Sequence, residues 1–132
     1  MSSTKRRIRY ALRTDCMVTV DGRLVGETTV DGSWDGLQVL ASGPARIGEK
    51  VQVALRLPRS RFWIQATGRI TRSSPGRRRG DAGPSYGVRL ENMHGMDRML
   101  FNTSLRSRPR VKPQRGRRRN YANAVERITR EA

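Results

Sequence analysis

The strongest constraint on the fold is a series of short apolar segments that alternate with polar residues and end at turn residues. Between residues 51 and 57, valine and leucine occupy the odd positions, with Gln52, Ala54 and Arg56 between them. Side chains of a strand point alternately to its two faces, so this pattern predicts a strand with one buried face. Pro58 ends the strand, because proline has no N–H to donate to a neighbouring strand.

Five other segments carry related signals. Asp21-Gly22 is a favoured hairpin turn between two of them, and Asp31-Gly32 is expected to end the second. The predicted strands are residues 16–20, 24–30, 36–41, 51–57, 62–71 and 86–90. Six short strands with turns between them predict a mainly β fold, an antiparallel barrel or sandwich.

A helix is predicted after the last strand, over residues 96–105, which contain neither glycine nor proline. Apolar residues at helical spacing are expected to cap the core, namely Met93, Met96, Met99, Leu100 and Leu105. Residues 106–119 contain almost nothing apolar, which predicts a flexible basic arm, and residues 120–131 could form one short helix. The chain is thus divided into a domain over residues 1–106, with a basic leader at 1–13, and a tail over residues 107–132.

Charge restricts the class of partner. The chain carries 28 Lys and Arg against 11 Asp and Glu, a net charge of +17, so a phosphate-bearing partner is expected. The basic residues cluster in the leader, at residues 77–79, and from residue 102 onward, where ten Arg or Lys against two Glu give a net charge of +8.

No apolar run is long enough to cross a bilayer and no signal-peptide core follows the basic start, which predicts a cytoplasmic protein. The single cysteine, Cys16, excludes an internal disulfide and is expected to be a small apolar strand residue.

Residues suited to catalysis or metal binding are few. His94 is the single histidine, and a metal site needs several ligands, so a structural role is expected. Ser33 lies in no nucleophile-elbow pattern, and Asp31 and Asp35 form a carboxylate pair without the further polar groups that an enzyme needs. We therefore predict a binding protein that is not an enzyme and holds no cofactor.

Two short elements are suited to an anionic dinucleotide. In the turn over residues 31–36, Asp31 offers a carboxylate for the Watson–Crick edge of guanine, Ser33 a hydroxyl, and Gly36 a backbone that a ligand can approach closely. In the leader, Arg9 and Arg13 lie four residues apart, and an arginine fork binds phosphate while its face stacks on a purine. Taken singly, each element is also explained without a ligand, as an ordinary hairpin turn and as a solvated basic leader.

Together these elements resemble the PilZ domain. The similarity covers roughly residues 5–106 and includes the RxxxR pattern, the Asp31-x-Ser33-x-x-Gly36-Leu37 motif, the Tyr86-Gly87-Val88-Arg89-Leu90 strand and a closing helix. It implies a six-stranded antiparallel β-barrel that acts as a bacterial receptor for cyclic di-guanosine monophosphate (cyclic di-GMP), often bound as an intercalated dimer. In the family, the arginines wrap over the ligand and the D-x-S-x-x-G residues contact a guanine. The ligand-binding residues implied for this chain are Lys5, Arg6, Arg9, Arg13, Asp31, Ser33 and Gly36.

The arginine pattern has two possible registers. The literal RxxxR is Arg9 and Arg13, whereas the tyrosine that follows Arg9 and the longer spacing to Asp31 favour Lys5 with Arg9. Lysine supplies a charge but neither the fork nor the stacking face of arginine. A second departure is Gly32, which stands where the family usually has a branched aliphatic residue that points into the barrel.

Three functions remain open at this point. The first is a cyclic di-GMP receptor whose leader changes conformation on binding and signals to a protein partner. The second is a nucleic-acid-binding protein that makes weak, sequence-independent contacts through its arginine-rich tail, chiefly residues 106–119. The third is a degenerate PilZ domain that contacts only proteins.

Overall fold

The computed structural model describes residues 8–76 and 83–111 of the chain. Seven strands precede one helix in these ranges: β1 Tyr10–Ala11, β2 Asp15–Val20, β3 Arg23–Ser33, β4 Gly36–Ala41, β5 Lys50–Arg56, β6 Trp63–Ser74, β7 Ser85–Met93 and α1 Gly95–Arg106. The six predicted strands and the helix are confirmed, with ends that differ by a few residues, and β1 is an addition. The arginines at 77–79, the tail from residue 112 and the helix predicted within it lie outside the described residues.

The six longer strands close into an antiparallel barrel, which confirms the predicted fold. β3 pairs with β2 along one edge and with β4 along the other, and the ring continues through β5, β6 and β7. The Asp21-Gly22 turn joins β2 to β3, and both residues have positive φ, of 50° and 79°, as the favoured two-residue hairpin turn requires. The short β1 and β2 lie one after the other along the same edge of β3. In β1, Tyr10 pairs with Gly32 and Ala11 with Asp31.

The core lies inside the barrel because inward and outward residues alternate along the strands. In β5, Val51, Val53 and Leu55 are buried while Gln52 is exposed. Cys16 of β2 is buried as expected, and that burial raises the pKa of its thiol to about 12. Within the described residues, no helix is long and apolar enough to cross a membrane.

The helix α1 packs on the barrel through a face that the sequence pattern identified only at Leu105. Phe101 and Leu105 are its buried residues, at 0% and 2% exposure, whereas Met96 and Met99 are 58% and 62% exposed. The prediction that these residues cap the core is therefore wrong for Met96 and Met99, and also for Leu100, which is 36% exposed. Met93 packs against the core, but from β7. The one bulky aromatic residue of the helix fills the space more completely than flexible methionines would.

His94 and Asp97 fix the start of α1. His94 is the N-cap residue, and its Nδ1 accepts a hydrogen bond from the Met96 amide at 3.3 Å. A carboxylate oxygen of Asp97 accepts from the Gln65 amide of β6 at 3.0 Å. The structural role expected for His94 is confirmed, since it caps one of the amides that a helix leaves unpaired at its start.

Candidate functional site

The segment from Asp31 to Gly36 is a strand end, a two-residue turn and a strand start. β3 continues to Ser33, which pairs with Gly36 of β4 across a turn formed by Trp34 and Asp35. The prediction that Asp31-Gly32 ends the strand is therefore wrong, because pairing with β1 on one edge and β4 on the other keeps these residues extended. Asp31 and Ser33 are consequently held by the sheet, which orients them more firmly than a free turn would.

The Trp34–Asp35 turn is tied to the rest of the barrel. The Asp35 carbonyl accepts a hydrogen bond from the Leu90 amide of β7 at 2.8 Å. Arg98 of α1 donates to the Trp34 carbonyl, and its guanidinium lies over the Trp34 ring, 5.4 Å from the centroid. These contacts bring the motif against β7 and α1.

Gly32, the departure from the family pattern, has a simple packing explanation. A Cβ at this position would lie 3.1 Å from a terminal methyl of Leu12 and 3.1 Å from one of Leu37. Both leucines are buried, at 0% and 1% exposure. The space that a branched residue would fill is thus occupied by leucines from the neighbouring segments.

Arg9 and Asp31 form an ion pair at the edge of this motif. Arg9 Nε donates to Asp31 Oδ1 at 2.7 Å, and Nη2 lies 2.5 Å from the same oxygen. The Asp31 side chain is 11% exposed and that of Arg9 34%. Because β1 pairs with β3 directly beside Asp31, the sheet brings the leader and the motif together.

A cavity of about 330 Å³ lies on the outside of the barrel where the β3–β4 hairpin meets β6 and β7. Its lining contains small residues on adjacent strands: a Cβ on Gly36 would lie 3.4 Å from the Val88 carbonyl, and one on Gly87 would lie 3.2 Å from the Arg72 Cβ. The complete lining is Arg9, Ser33, Asp35, Gly36, Leu37, Thr71, Arg72, Gly87, Val88 and Arg89. Because glycine has no Cβ, a glycine on the surface of a sheet leaves the backbone open to a ligand.

Charge around the cavity is mainly positive. Arg9, Arg72 and Arg89 line it together with one acid, Asp35, which accepts a hydrogen bond from Ser33 Oγ at 3.2 Å. Arg89 is oriented by Glu91, whose carboxylate oxygen lies 3.0 Å from its Nη2. Three guanidinium groups around a glycine-lined depression suit a flat, anionic ligand.

A larger depression of about 720 Å³ lies elsewhere, against β2, β5, β6 and the start of α1. Met17, Gln65 and Asp97 are among the residues that line it, and the described lining includes no arginine or lysine. Size alone would favour it as a ligand site, but an anion needs the positive charge that only the smaller cavity has.

The structure brings together part of the predicted site. Arg9, Ser33 and Gly36 line the cavity, whereas Asp31 does not line it but binds Arg9. Arg13 is exposed and is not among the lining residues. Lys5 and Arg6 lie outside the described residues, so both registers of the arginine pattern stay predictions.

Five lining residues on β6 and β7 were missed by sequence reasoning, namely Thr71, Arg72, Gly87, Val88 and Arg89. The signal that could have found two of them is the alternation in β7, which puts Gly87 and Arg89 on the outward face. The register that sets Arg72 against Gly87 and Arg89 against Gly36 depends on barrel closure, which no local pattern specifies.

Comparison with known proteins agrees with the barrel fold. The model of the PilZ domain family matches residues 3–107. Among solved structures, the inhibitor of motility MotI/DgrA of Bacillus subtilis has a similar fold, with a TM-score of 0.63 and 15% sequence identity. The similarity covers 76% of this chain and 48% of that one, so the chain spans about half the length of this neighbour. No curated protein matches significantly.

Proposed function

Because the chain belongs to the PilZ domain family, whose members are binding and regulatory domains, we propose that it is a receptor for cyclic di-GMP. The observation that carries the proposal is the cavity in which Arg9, Arg72 and Arg89 surround Ser33 and the backbone of Gly36. The ligand has two phosphates and two guanines, and the family resemblance implies that it binds as an intercalated dimer. Three of the four charged residues that line the cavity are arginines, which suits the binding of an anion.

The lining residues, together with Asp31, which binds the lining residue Arg9, match the groups of such a ligand. A guanidinium fork makes paired hydrogen bonds with phosphate, and its flat face stacks on a purine. A carboxylate such as that of Asp31 accepts from the two N–H donors on the Watson–Crick edge of guanine, while the Ser33 hydroxyl donates to an oxygen. Gly36 lets a ring lie directly on the strand.

Binding in this way requires Arg9 and Asp31 to exchange partners. The two side chains bind each other through Asp31 Oδ1, so a ligand that draws Arg9 to a phosphate and Asp31 to a guanine separates them. Because Arg9 directly precedes β1, this exchange moves the leader. The moved leader is the conformational signal that we propose a protein partner reads.

Calorimetric titration with cyclic di-GMP tests the proposal. The wild-type chain should bind with two nucleotides per chain if the ligand is an intercalated dimer. Arg9→Ala and Arg72→Ala should each weaken binding at least about ten-fold, since a hydrogen bond to a charged group contributes about 1.5–3 kcal/mol. Arg61→Ala is the matched control, because Arg61 is exposed and lies near the far end of β6.

Two results would contradict the assignment. Absence of heat with correctly folded wild-type protein would favour the degenerate PilZ domain that contacts only proteins. Saturable binding that Arg9→Ala and Arg72→Ala leave unchanged would place the ligand away from this cavity. Each variant is first compared with the wild type by thermal unfolding, so that a loss of binding is not a loss of fold.

The same titration distinguishes the two registers of the arginine pattern. With Lys5 and Arg9 as the pair, Lys5→Ala weakens binding and Arg13→Ala does not. With Arg9 and Arg13 as the pair, the outcome is reversed. Arg6→Ala shows whether the neighbouring arginine supplies a contact that lysine cannot make.

The net charge of +17 favours weak nucleic-acid binding as a second candidate function. Such binding depends on phosphate neutralisation and falls steeply with salt. A mobility-shift assay at two salt concentrations, with the wild type and a chain that lacks residues 112–132, tests it. Loss of the shift on deletion, with cyclic di-GMP binding retained, would assign the two activities to separate parts of the chain.

A further inference from the structure

After α1 the chain turns back and lies along β1. The Val111 amide donates to the Arg9 carbonyl at 2.8 Å, and the Ala11 amide donates to the Pro109 carbonyl at 2.7 Å. Tyr10 and Arg110 form the antiparallel pair between these two bonds. We call residues 108–111 the return segment. β1 therefore has hydrogen-bonded neighbours on both of its edges.

A side chain strengthens the same contact. Arg108 Nε donates to the Ala11 carbonyl at 3.1 Å. The start of the return segment is itself anchored, since the Arg108 amide donates to the carbonyl of Leu105, a residue 2% exposed at the end of α1. The return segment is thus joined to the barrel core at one end and to the leader at the other.

β1 needs this second neighbour because it is very short. It has two residues, and along β3 it pairs only with Gly32 and Asp31. Isolated pairings of this length are marginal in water. Arg9 comes directly before β1, lines the cavity and pairs with Asp31, so the position of its guanidinium depends on how firmly β1 is held.

The return segment lies beyond the part of the chain that the family model matches, which ends at residue 107. It also leads directly into residues 112–132, which carry seven Arg or Lys against two Glu. On the side of the return segment, the contact is therefore made by residues that the family model does not cover.

We propose that the return segment positions Arg9 for its ligand and is thereby coupled to ligand binding. Holding the Arg9 backbone in place lowers the entropy lost when the arginine orders around a ligand, which tightens binding. The coupling is reciprocal: a ligand on Arg9 stabilises the return segment as much as the return segment favours the ligand. The inference rests on the proposed cyclic di-GMP site.

Proline substitution provides the main variant. Val111→Pro removes the amide that donates to the Arg9 carbonyl, while Lys112→Pro places the same residue one position later and leaves that amide intact. Val111→Pro should raise the Kd for cyclic di-GMP about five-fold, the equivalent of one backbone hydrogen bond. Lys112→Pro should stay within two-fold of the wild type.

A second pair of variants tests the side-chain contact without changing the backbone. Arg108→Ala removes the bond to the Ala11 carbonyl and should weaken binding several-fold. Arg106→Ala removes an equal charge from an exposed position at the end of α1 and should have no effect. Arg108→Lys should not restore the affinity, because a lysine ammonium does not reproduce the directed Nε–H of arginine.

Hydrogen exchange of backbone amides distinguishes a return segment that holds β1 in place from one whose contacts have only a local effect. The Leu12 amide donates to the Val30 carbonyl at 3.1 Å, on the β3 side of the leader, and none of the substitutions touches it. Without ligand, Leu12 should exchange faster in Val111→Pro than in Lys112→Pro if the return segment holds β1 in place. In the wild type, cyclic di-GMP should slow exchange at Val111.

The outcomes distinguish the two proposals. No binding by the wild type overturns the cyclic di-GMP site, and the exchange rate of Leu12 then still shows whether the return segment holds β1. Wild-type affinity in Val111→Pro and Arg108→Ala, with unchanged exchange at Leu12, overturns the positioning role. Tighter binding in Val111→Pro overturns it as well, since the return segment would then hold Arg9 away from the ligand.

Discussion

Gly36 allows stability and ligand binding to be separated by one substitution. A Cβ at this position would lie 3.4 Å from the Val88 carbonyl and 3.5 Å from Ser33 Oγ, distances of ordinary van der Waals contact. Glycine inside a strand costs about 0.5–1 kcal/mol relative to alanine. For a domain of this size that energy corresponds to a rise of about 2–8 °C in Tm. Gly36→Ala should therefore be more stable than the wild type.

Substitution of Gly36 by alanine or valine should weaken the binding of cyclic di-GMP. Gly36 lines the cavity, so the introduced side chain would occupy space that the proposed ligand needs. We expect a few-fold loss for Gly36→Ala and about ten-fold or more for Gly36→Val, about 1.4 kcal/mol. Differential scanning fluorimetry gives Tm and calorimetry gives Kd. Gly95→Ala is the control, since a Cβ there meets nothing within 4 Å.

Two results would refute this reasoning. Wild-type affinity in Gly36→Val would mean that the ligand does not approach this strand. A Tm several degrees below that of the wild type in Gly36→Ala would mean that the added methyl group is not accommodated, and the loss of affinity would then reflect damage to the fold. Gly95→Ala should leave the Kd unchanged in either case.

Three further predictions concern the fold around the site. Gly32→Val should lower the free energy of unfolding by about 1–3 kcal/mol, because its Cβ would lie 3.1 Å from Leu12 Cδ2 and 3.1 Å from Leu37 Cδ2. Urea unfolding measures this loss, and a variant as stable as the wild type would contradict it. Thr29→Val should lower the free energy of unfolding by about 1–3 kcal/mol, because the Thr29 hydroxyl accepts a hydrogen bond from the Thr14 amide and donates one to the Leu12 carbonyl. Thr29→Ser keeps the hydroxyl and should lose less stability. Burial raises the pKa of the Cys16 thiol from 9.0 to about 12. The free energy of unfolding should therefore fall as the pH rises from about 9 to about 12, since only the unfolded thiol ionises in that range. A pH series of unfolding measurements tests this against Cys16→Ala, which should lack this loss.

Local sequence patterns predicted most of the fold. Alternation specified the strands because a half-buried strand exposes every second residue, as between residues 51 and 57, and Asp21-Gly22 specified a turn through its need for positive φ. The helix was found from its spacing, but its buried face was assigned to Met96 and Met99 when Phe101 fills the core. Periodicity identifies the possible faces of a helix, and packing selects among them.

The residues of the candidate site that lie close together in the sequence were predicted, and those that folding brings in from distant strands were not. Asp31, Ser33 and Gly36 lie within six residues and carry a recognisable motif, and Arg9 lies in a basic leader. Arg72 and Arg89 were missed because they reach the cavity through the pairing of β6, β7 and β4. That pairing depends on contacts between distant segments, which single-chain patterns do not specify.

The sequence by itself determined the six strands of the barrel, the motif residues and the strongly basic character, because each depends on residue type and spacing along the chain. The tertiary structure alone decided that Arg9 meets Asp31, that two glycines on neighbouring strands open a cavity beside three arginines, and that residues 108–111 return to β1. The physical reason is that barrel closure sets the register between segments far apart in the chain. A shift of one residue in that register would turn these side chains to the opposite face.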